Sequence, residues 1–325
     1  MKRNLLIYEV RLGLVLLVLM AVLTIISPSF LSLTNLSNVI WSVCFIGILS
    51  SGAIYPIITG GIDLSLGSLA ALSGILVDMF MNRFGINWVV AIVLTVLIGA
   101  LIGLFNGFIV AKIRVPAFVV TMAAKTYLYG VALVVSNGAM LAILKPKAFI
   151  AIGTGRLFNL PNPIYIMLVM VVLSQFLLKQ TAFGRKVIAV GANEVAAKLS
   201  GIDPDSIRLL SYTLSGATTA IGGVVLASLT QQVFAAAASD IELNVLTALV
   251  IGGASLLGGK GSVVGGLLGA MIVAFITNGL NLMNVPAPYH PIVTGSVIIL
   301  ALLMNEGYLV PKKRKKVLGH HQAAA

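Results

Sequence analysis

The chain has 325 residues, of which 59% are apolar and 9% charged, with 33 glycines, a net charge of +12 and a mean hydropathy of +1.09. A water-soluble domain carries about 25% charged residues, so the composition excludes one and points to lipid as the solvent. At about 20 residues per spanning helix, the length holds roughly ten spans in one all-α bundle, 1–325, with no sizeable soluble domain attached.

Basic residues at Lys2, Arg3 and Arg11 precede an apolar run that could pass for a secretory signal. The following SPSFLSLTNLSN lacks a small-x-small cleavage site, so the run reads as an uncleaved first span near 12–27, behind a cytoplasmic segment 1–11. Spans near 39–58 and 64–81 flank the glycine-rich GGIDLSLGS at 60–68. There Asp63 is expected to start a helix or form a gate, sharing hydrogen bonds with Ser65 and Ser68. The solitary Cys44 of the second span cannot form an internal disulfide and reads as a small buried hydrophobe.

Further spans are expected near 87–111, 116–136 and 163–179. Lys125 is the one ionisable candidate for mid-membrane depth, since Asp63 and Asp78 fall near span ends. Residues 180–206 form the long polar stretch of the chain, a docking surface for a soluble partner. Asn193 is placed to cap a short helix with Glu194 at its positive end and Lys198 one turn on, an i,i+4 pair, while Ala196, Ala197 and Leu199 offer a low-profile surface. Asp203-Pro204-Asp205 has the form of a cap with proline in the first turn, opening a span near 207–229.

Ser239-Asp240-Ile241-Glu242 reads as a capping box ahead of a span near 241–257, with a partner-facing role on the outer surface as the other reading of Asp240 and Glu242. A second glycine-rich break, GGASLLGGKGS at 252–262, resembles a weak copy of the first, VIGG against ITGG. Interrupted helices repeated in two halves suit a transporter path, while close packing through small residues is the plainer reading of many of these glycines. Spans near 262–283 and 291–309 complete the series, followed by the basic tail 310–325. PKKRKKV there looks like a nuclear-import address, but directly after a span a polybasic run reads as a lipid-facing anchor.

Ten spans from a cytoplasmic N-terminus put sixteen basic residues on the cytoplasmic side against four outside, namely Arg83, Lys145, Lys147 and Arg156. That positive-inside bias would be scrambled by adding or removing one span. The positive charge thus reports topology and anionic lipid, with no nucleic-acid partner.

Catalytic signatures are missing. Lys260 does not complete a phosphate loop, because Ala254 stands where glycine is needed and Gly261 where Ser or Thr would hold magnesium. There is no HExxH and no Cys/His cluster, so neither a catalytic residue nor a metal site is expected. A self-contained ion-coupled carrier of a small polar solute remains the alternative, although such carriers bury more ionisable groups than this chain offers.

The segments ITGGIDLSLGS, LFNGFIVAKIRVPAFVVT, TAFGRKVIAVGANEVAAKLSGI and ELNVLTALVIGGASLLGGKGSVVGGLLGA, in that order, resemble the permease subunit of bacterial ribose-type ABC sugar importers. The group includes xylose, galactoside, allose and autoinducer-2 permeases. The resemblance implies an inner-membrane pore of two copies, or of this chain with a sister permease. A periplasmic sugar-binding protein would deliver the monosaccharide, and a cytoplasmic ABC ATPase would carry ATP and magnesium, with no cofactor in this chain. It maps a coupling helix onto 191–201, with Gly191, Asn193, Glu194, Ala197, Lys198 and Gly201 at the ATPase contact. Asp63, Ser65, Asn106, Lys125 and Tyr129 are the expected path or gate residues, and Asp240, Glu242 and Tyr289 the expected binding-protein contacts. No deep high-affinity sugar site is expected, since the binding protein would select the cargo. The chain departs from the group at Tyr129, where an arginine often precedes Gly130, at Asn244, where an acid is usual, and at Tyr289-His290, where Trp-Gln is usual.

Overall fold

The computed structural model describes residues 2–305; the expected basic tail 310–325 and the end of the expected tenth span, 306–309, lie outside the described residues. Thirteen α-helices are described in this range: α1 (Lys2–Ile26), α2 (Leu33–Ile58), α3 (Leu66–Asp78), α4 (Trp88–Phe108), α5 (Ala117–Ser136), α6 (Lys147–Thr154), α7 (Asn162–Gln180), α8 (Ala182–Ala192), α9 (Glu194–Leu199), α10 (Pro204–Thr230), α11 (Ile241–Ile251), α12 (Val263–Leu282) and α13 (His290–Asn305). Two short antiparallel ribbons accompany them, β1 (Leu141–Ala142) with β4 (Gln232–Val233), and β2 (Arg156–Leu157) with β3 (Leu160–Pro161).

Among the described residues, seven helices are long and apolar enough to cross a membrane: Tyr8–Ile26, Leu33–Ile58, Trp88–Ile113, Ala117–Ser136, Asn162–Gln180, Pro204–Thr230 and Val263–Leu282. The segments expected near 64–81 and 241–257 depart from full spans. α3 has 13 residues before five more wound as a π-helix, and α11 has 11. At 1.5 Å per residue these reach about 20 and 16 Å, short of a hydrocarbon core of about 30 Å. The cause is local: Gly253 (φ +86°) ends α11, and the irregular break that Gly60 (φ +83°) opens after α2 delays the start of α3 to Leu66.

Polar side chains at the helix starts satisfy amides that the helix leaves free. Ser32, Asn87, Thr181, Asn193 and Ser262 each accept a backbone N–H at the start of α2, α4, α8, α9 and α12. Asp203 accepts the N–H groups of Asp205 and Ser206, as the Asp-Pro-Asp pattern anticipates. The capping box at 239–242 does not form. Ser239 Oγ donates to the Ala236 carbonyl at 3.1 Å, Asp240 sits at the cap with φ +62° and no side-chain cap bond, and Glu242 turns to Lys125 instead. A buried carboxylate gains more from an ammonium than from a neutral amide.

α10 is the central post, in contact with α2, α3 and α4. Its approach to α4 depends on small residues: a Cβ at Gly99 would press on Ala220 and Gly216, and one at Gly103 on Tyr212 and Gly216. Where lipid supplies no hydrophobic drive between helices, such close backbone contact is a main source of attraction. The larger apolar cluster lies around α2, α11 and α12 and includes buried Cys44; the second lies around α3, α5 and α6.

Candidate functional site

Three structural features are built around the two glycine-rich breaks. The first is their meeting point. The Gly259 N–H donates to the Ile58 carbonyl at 2.8 Å, tying the break after α11 to the last turn of α2. Gly191, near the end of α8, lies against both: a Cβ there would collide with the Ile58 carbonyl and with the Gly259 nitrogen. The polar loop expected at 180–206 therefore seats directly on the joint between the two halves.

That loop is strapped down by charge. Asn193 caps α9 through the Ala196 N–H at 3.0 Å. Glu194 accepts from Arg208 Nη1 at 3.0 Å and from Arg114 Nη1 at 2.9 Å, and Asp205 pairs with Arg114 at 2.8 Å and Lys112 at 3.4 Å. The Arg208 guanidinium, with Arg114 behind it, holds the Glu194 carboxyl down at about 2. The expected Glu194–Lys198 pair does not form, because two guanidiniums from other elements take the carboxylate; Lys198 makes no ion pair among the described residues. Ala197 also departs from its expected surface role, being 4% exposed. The outward face is formed by Val195 and Leu199, which are one turn apart and 69% and 85% exposed. Gly201 follows at φ +78° and reverses the chain toward α10.

The second feature is a polar layer inside the bundle. Asp63 is buried; its Oδ1 accepts from the Ser65 N–H at 3.0 Å and Ser65 Oγ at 2.6 Å, and its Oδ2 accepts from Ser215 Oγ at 2.7 Å. Asn106 Nδ2 reaches Ser65 Oγ at 3.4 Å. The Ile62 carbonyl accepts from Thr121 at 3.2 Å and Tyr212 at 3.3 Å. Asp63, Ser65 and Asn106 thus come together, while Ser68, expected to share the Asp63 bonds, lines the larger cavity instead. Thr121, Tyr212 and Ser215 join them with no motif to announce them.

The third is a pair of cavities on either side of this layer, ordered along α5. Ala117 lines one of about 220 Å³, with Arg114, Arg208 and Tyr212. Lys125 and Tyr129 line the other, of about 380 Å³. Thr121 stands between, and Ala117 and Lys125 are about 12 Å apart along the helix axis. Lys125, close to the midpoint of α5, pairs with the buried Glu242 and reaches Asp240 at 3.4 Å. Of the expected binding-protein contacts, Glu242 is 2% exposed beside Lys125, Asp240 is 70% exposed on the cavity wall, and Tyr289 is 56% exposed away from both cavities.

Helices broken inside the bundle, a polar layer between two cavities and an anchored polar loop define a helical membrane-transport protein. The family described as "Branched-chain amino acid transport system / permease component" matches residues 35–302, and the chain belongs to it. It is 36% identical over 309 residues to the ribose import permease protein RbsC of Haemophilus influenzae, covering 94% of this chain and 95% of that one. It is 37% identical over 293 residues to the RbsC protein of Escherichia coli K12, covering 89% and 91%. It is 33% identical over 292 residues to the L-arabinose ABC transporter permease protein AraH of Azospirillum brasilense, covering 90% and 86%. No solved structure matches the chain. The protein is a multi-pass membrane permease component.

Proposed function

We propose that the chain is the membrane subunit of an ABC importer for a simple, ribose-like monosaccharide, delivered by a periplasmic binding protein and driven by a separate ATPase. Relatives named for ribose and arabinose import along nearly their whole length support this reading over an ion-coupled carrier. The structural observation that carries it is Gly191 seated against Ile58 and Gly259. A push on α8 and α9 falls directly on the end of α2 and on the glycine-rich break before α12.

In this reading the protein lies in the bacterial inner membrane with about ten crossings and both termini cytoplasmic. α3 and α11 are the helical parts of crossings completed by the irregular segments before them. Val195 and Leu199 face the groove of the ATPase, an exposed apolar patch of the kind that marks a protein contact. ATP and magnesium stay in that partner. The pore is completed by a second copy or a sister permease. ATPase closure rocks the bundle as rigid parts, and the layer of Asp63, Ser65, Thr121 and Tyr212 opens between the two cavities.

Copurification from gently solubilised native membranes tests the reading. An ATP-binding subunit should accompany the chain, and sugar uptake into vesicles should require both that subunit and the binding protein. Uptake by the chain alone, driven by a proton or sodium gradient, would falsify it. A tag within 180–206 that labels from the outer face would overturn the orientation.

A further inference from the structure

We infer that the cavity between α3, α5 and α11 is a subsite on this chain for a neutral, hydroxyl-rich sugar, with Glu242 and Asp240 as hydrogen-bond acceptors and Lys125 as donor. The inference rests on the permease reading above and is compatible with the expectation of no deep high-affinity sugar site, because the subsite is a weak one.

Depth is the first argument. Lys125 lies near the middle of a helix apolar enough to cross a membrane, where an ionisable group is costly and is held for a purpose. Its partner comes from the start of α11, which carries the buried Glu242 into the bundle to meet it, with the exposed Asp240 beside the pair.

Chemistry is the second. The ammonium faces two carboxylates, so the cluster carries a net negative charge of one. Glu242 Oε2 is buried and has no hydrogen-bond partner among the described residues, while Oε1 is held by Lys125. An unmet buried acceptor costs about 1–3 kcal/mol, and a donor arriving in the cavity would relieve it once the side chain turns. Adjacent hydroxyls supply such donors, and the same hydroxyls can accept from Lys125. A carboxylate or phosphate on the cargo would instead meet Asp240 and Glu242 as like charges. Gly67 keeps the floor open, since a Cβ there would press on the Glu242 carboxylate. At about 380 Å³ the cavity falls at the small end of ligand pockets, which span about 300–1,000 Å³.

A waypoint must also release its cargo, which calls for affinity near the millimolar range, about −4 kcal/mol. The test is therefore protection, not tight binding. Thr126→Cys places a thiol on the exposed cavity wall, with Ser239→Cys as a second reporter on the facing wall; Cys44 is buried and does not compete for reagent. In the assembled transporter, saturating D-ribose should slow labelling by a water-soluble thiol reagent about threefold or more, corresponding to mostly occupied sites. D-ribonate should not slow it, and Lys125→Met/Glu242→Gln should abolish the ribose effect.

Equal protection by ribonate, protection that survives the double substitution, or thiols that no reagent reaches because a second copy fills the cavity would each overturn the subsite. Wild-type uptake of ribose without protection would do the same and leave the permease reading intact. Failure to import any monosaccharide, with the ATPase and binding protein present, would overturn the permease reading itself.

Discussion

The two cavities differ in what closes them. Around the 220 Å³ cavity the ends of α2 and α8 and the break before α12 meet backbone to backbone, and the charges of Arg114, Arg208, Glu194 and Asp205 are shared outside that contact. Around the 380 Å³ cavity the closure is a single ammonium between two acids, with open space beside it. Glycine contacts transmit displacement because they cannot be compressed, whereas a half-satisfied ion pair can exchange partners. One end is built to be pushed and the other to yield.

Gly191→Leu should break this contrast most completely. The new side chain would collide with backbone at Ile58 and Gly259 that cannot rotate away, an overpacking of about 1–3 kcal/mol. Uptake should fall to background while ATP hydrolysis by the partner continues, as measured in reconstituted vesicles. At the other end, Lys125→Met alone should cost about 3 kcal/mol, because it strands the Glu242 charge in the interior. Lys125→Met/Glu242→Gln should recover most of that loss in thermal melts, a coupling that a double-mutant cycle reads directly.

Glu194→Gln should have a smaller effect on stability, under about 1 kcal/mol, because each exposed ion pair contributes little. It should still lower uptake per ATP, since α9 loses its anchor to Arg208 and Arg114. The pH dependence has a definite sign. The Glu194 carboxyl is depressed from 4.5 to about 2, so its contribution is full above 4.5, fades as the pH falls below that value and is lost below about 2. Coupling at pH 5 should therefore match coupling at pH 7 as far as this residue is concerned. Ser239→Ala should change the melting behaviour least, within about 0.5 kcal/mol, because the hydroxyl bonds only the Ala236 carbonyl and caps no helix.

Composition and apolar periodicity were enough to establish a membrane bundle. The caps at Asn193 and Asp203 were legible as well, since a polar side chain bonding amides two or three residues ahead is a local event. The same reasoning failed at 239–242, where the local pattern is a sound capping box and Lys125, more than a hundred residues away, takes its glutamate. It failed again at Glu194, whose i,i+4 lysine lost to Arg208 and Arg114. Thr121, Tyr212 and Ser215 carry no motif, and only the packing of α5 and α10 against the first break makes them part of the polar layer.

Solvent, helix content and chain reversals were readable from the residues alone because each depends on neighbours within a few positions: apolar runs demand lipid, and glycine at positive φ ends a helix. Folding in three dimensions settled which charges pair, that two breaks close on one glycine, and that a short helix delivers Glu242 to Lys125. Electrostatic partners in a low-dielectric interior are chosen by distance in space, and distance in space is a property of the whole bundle.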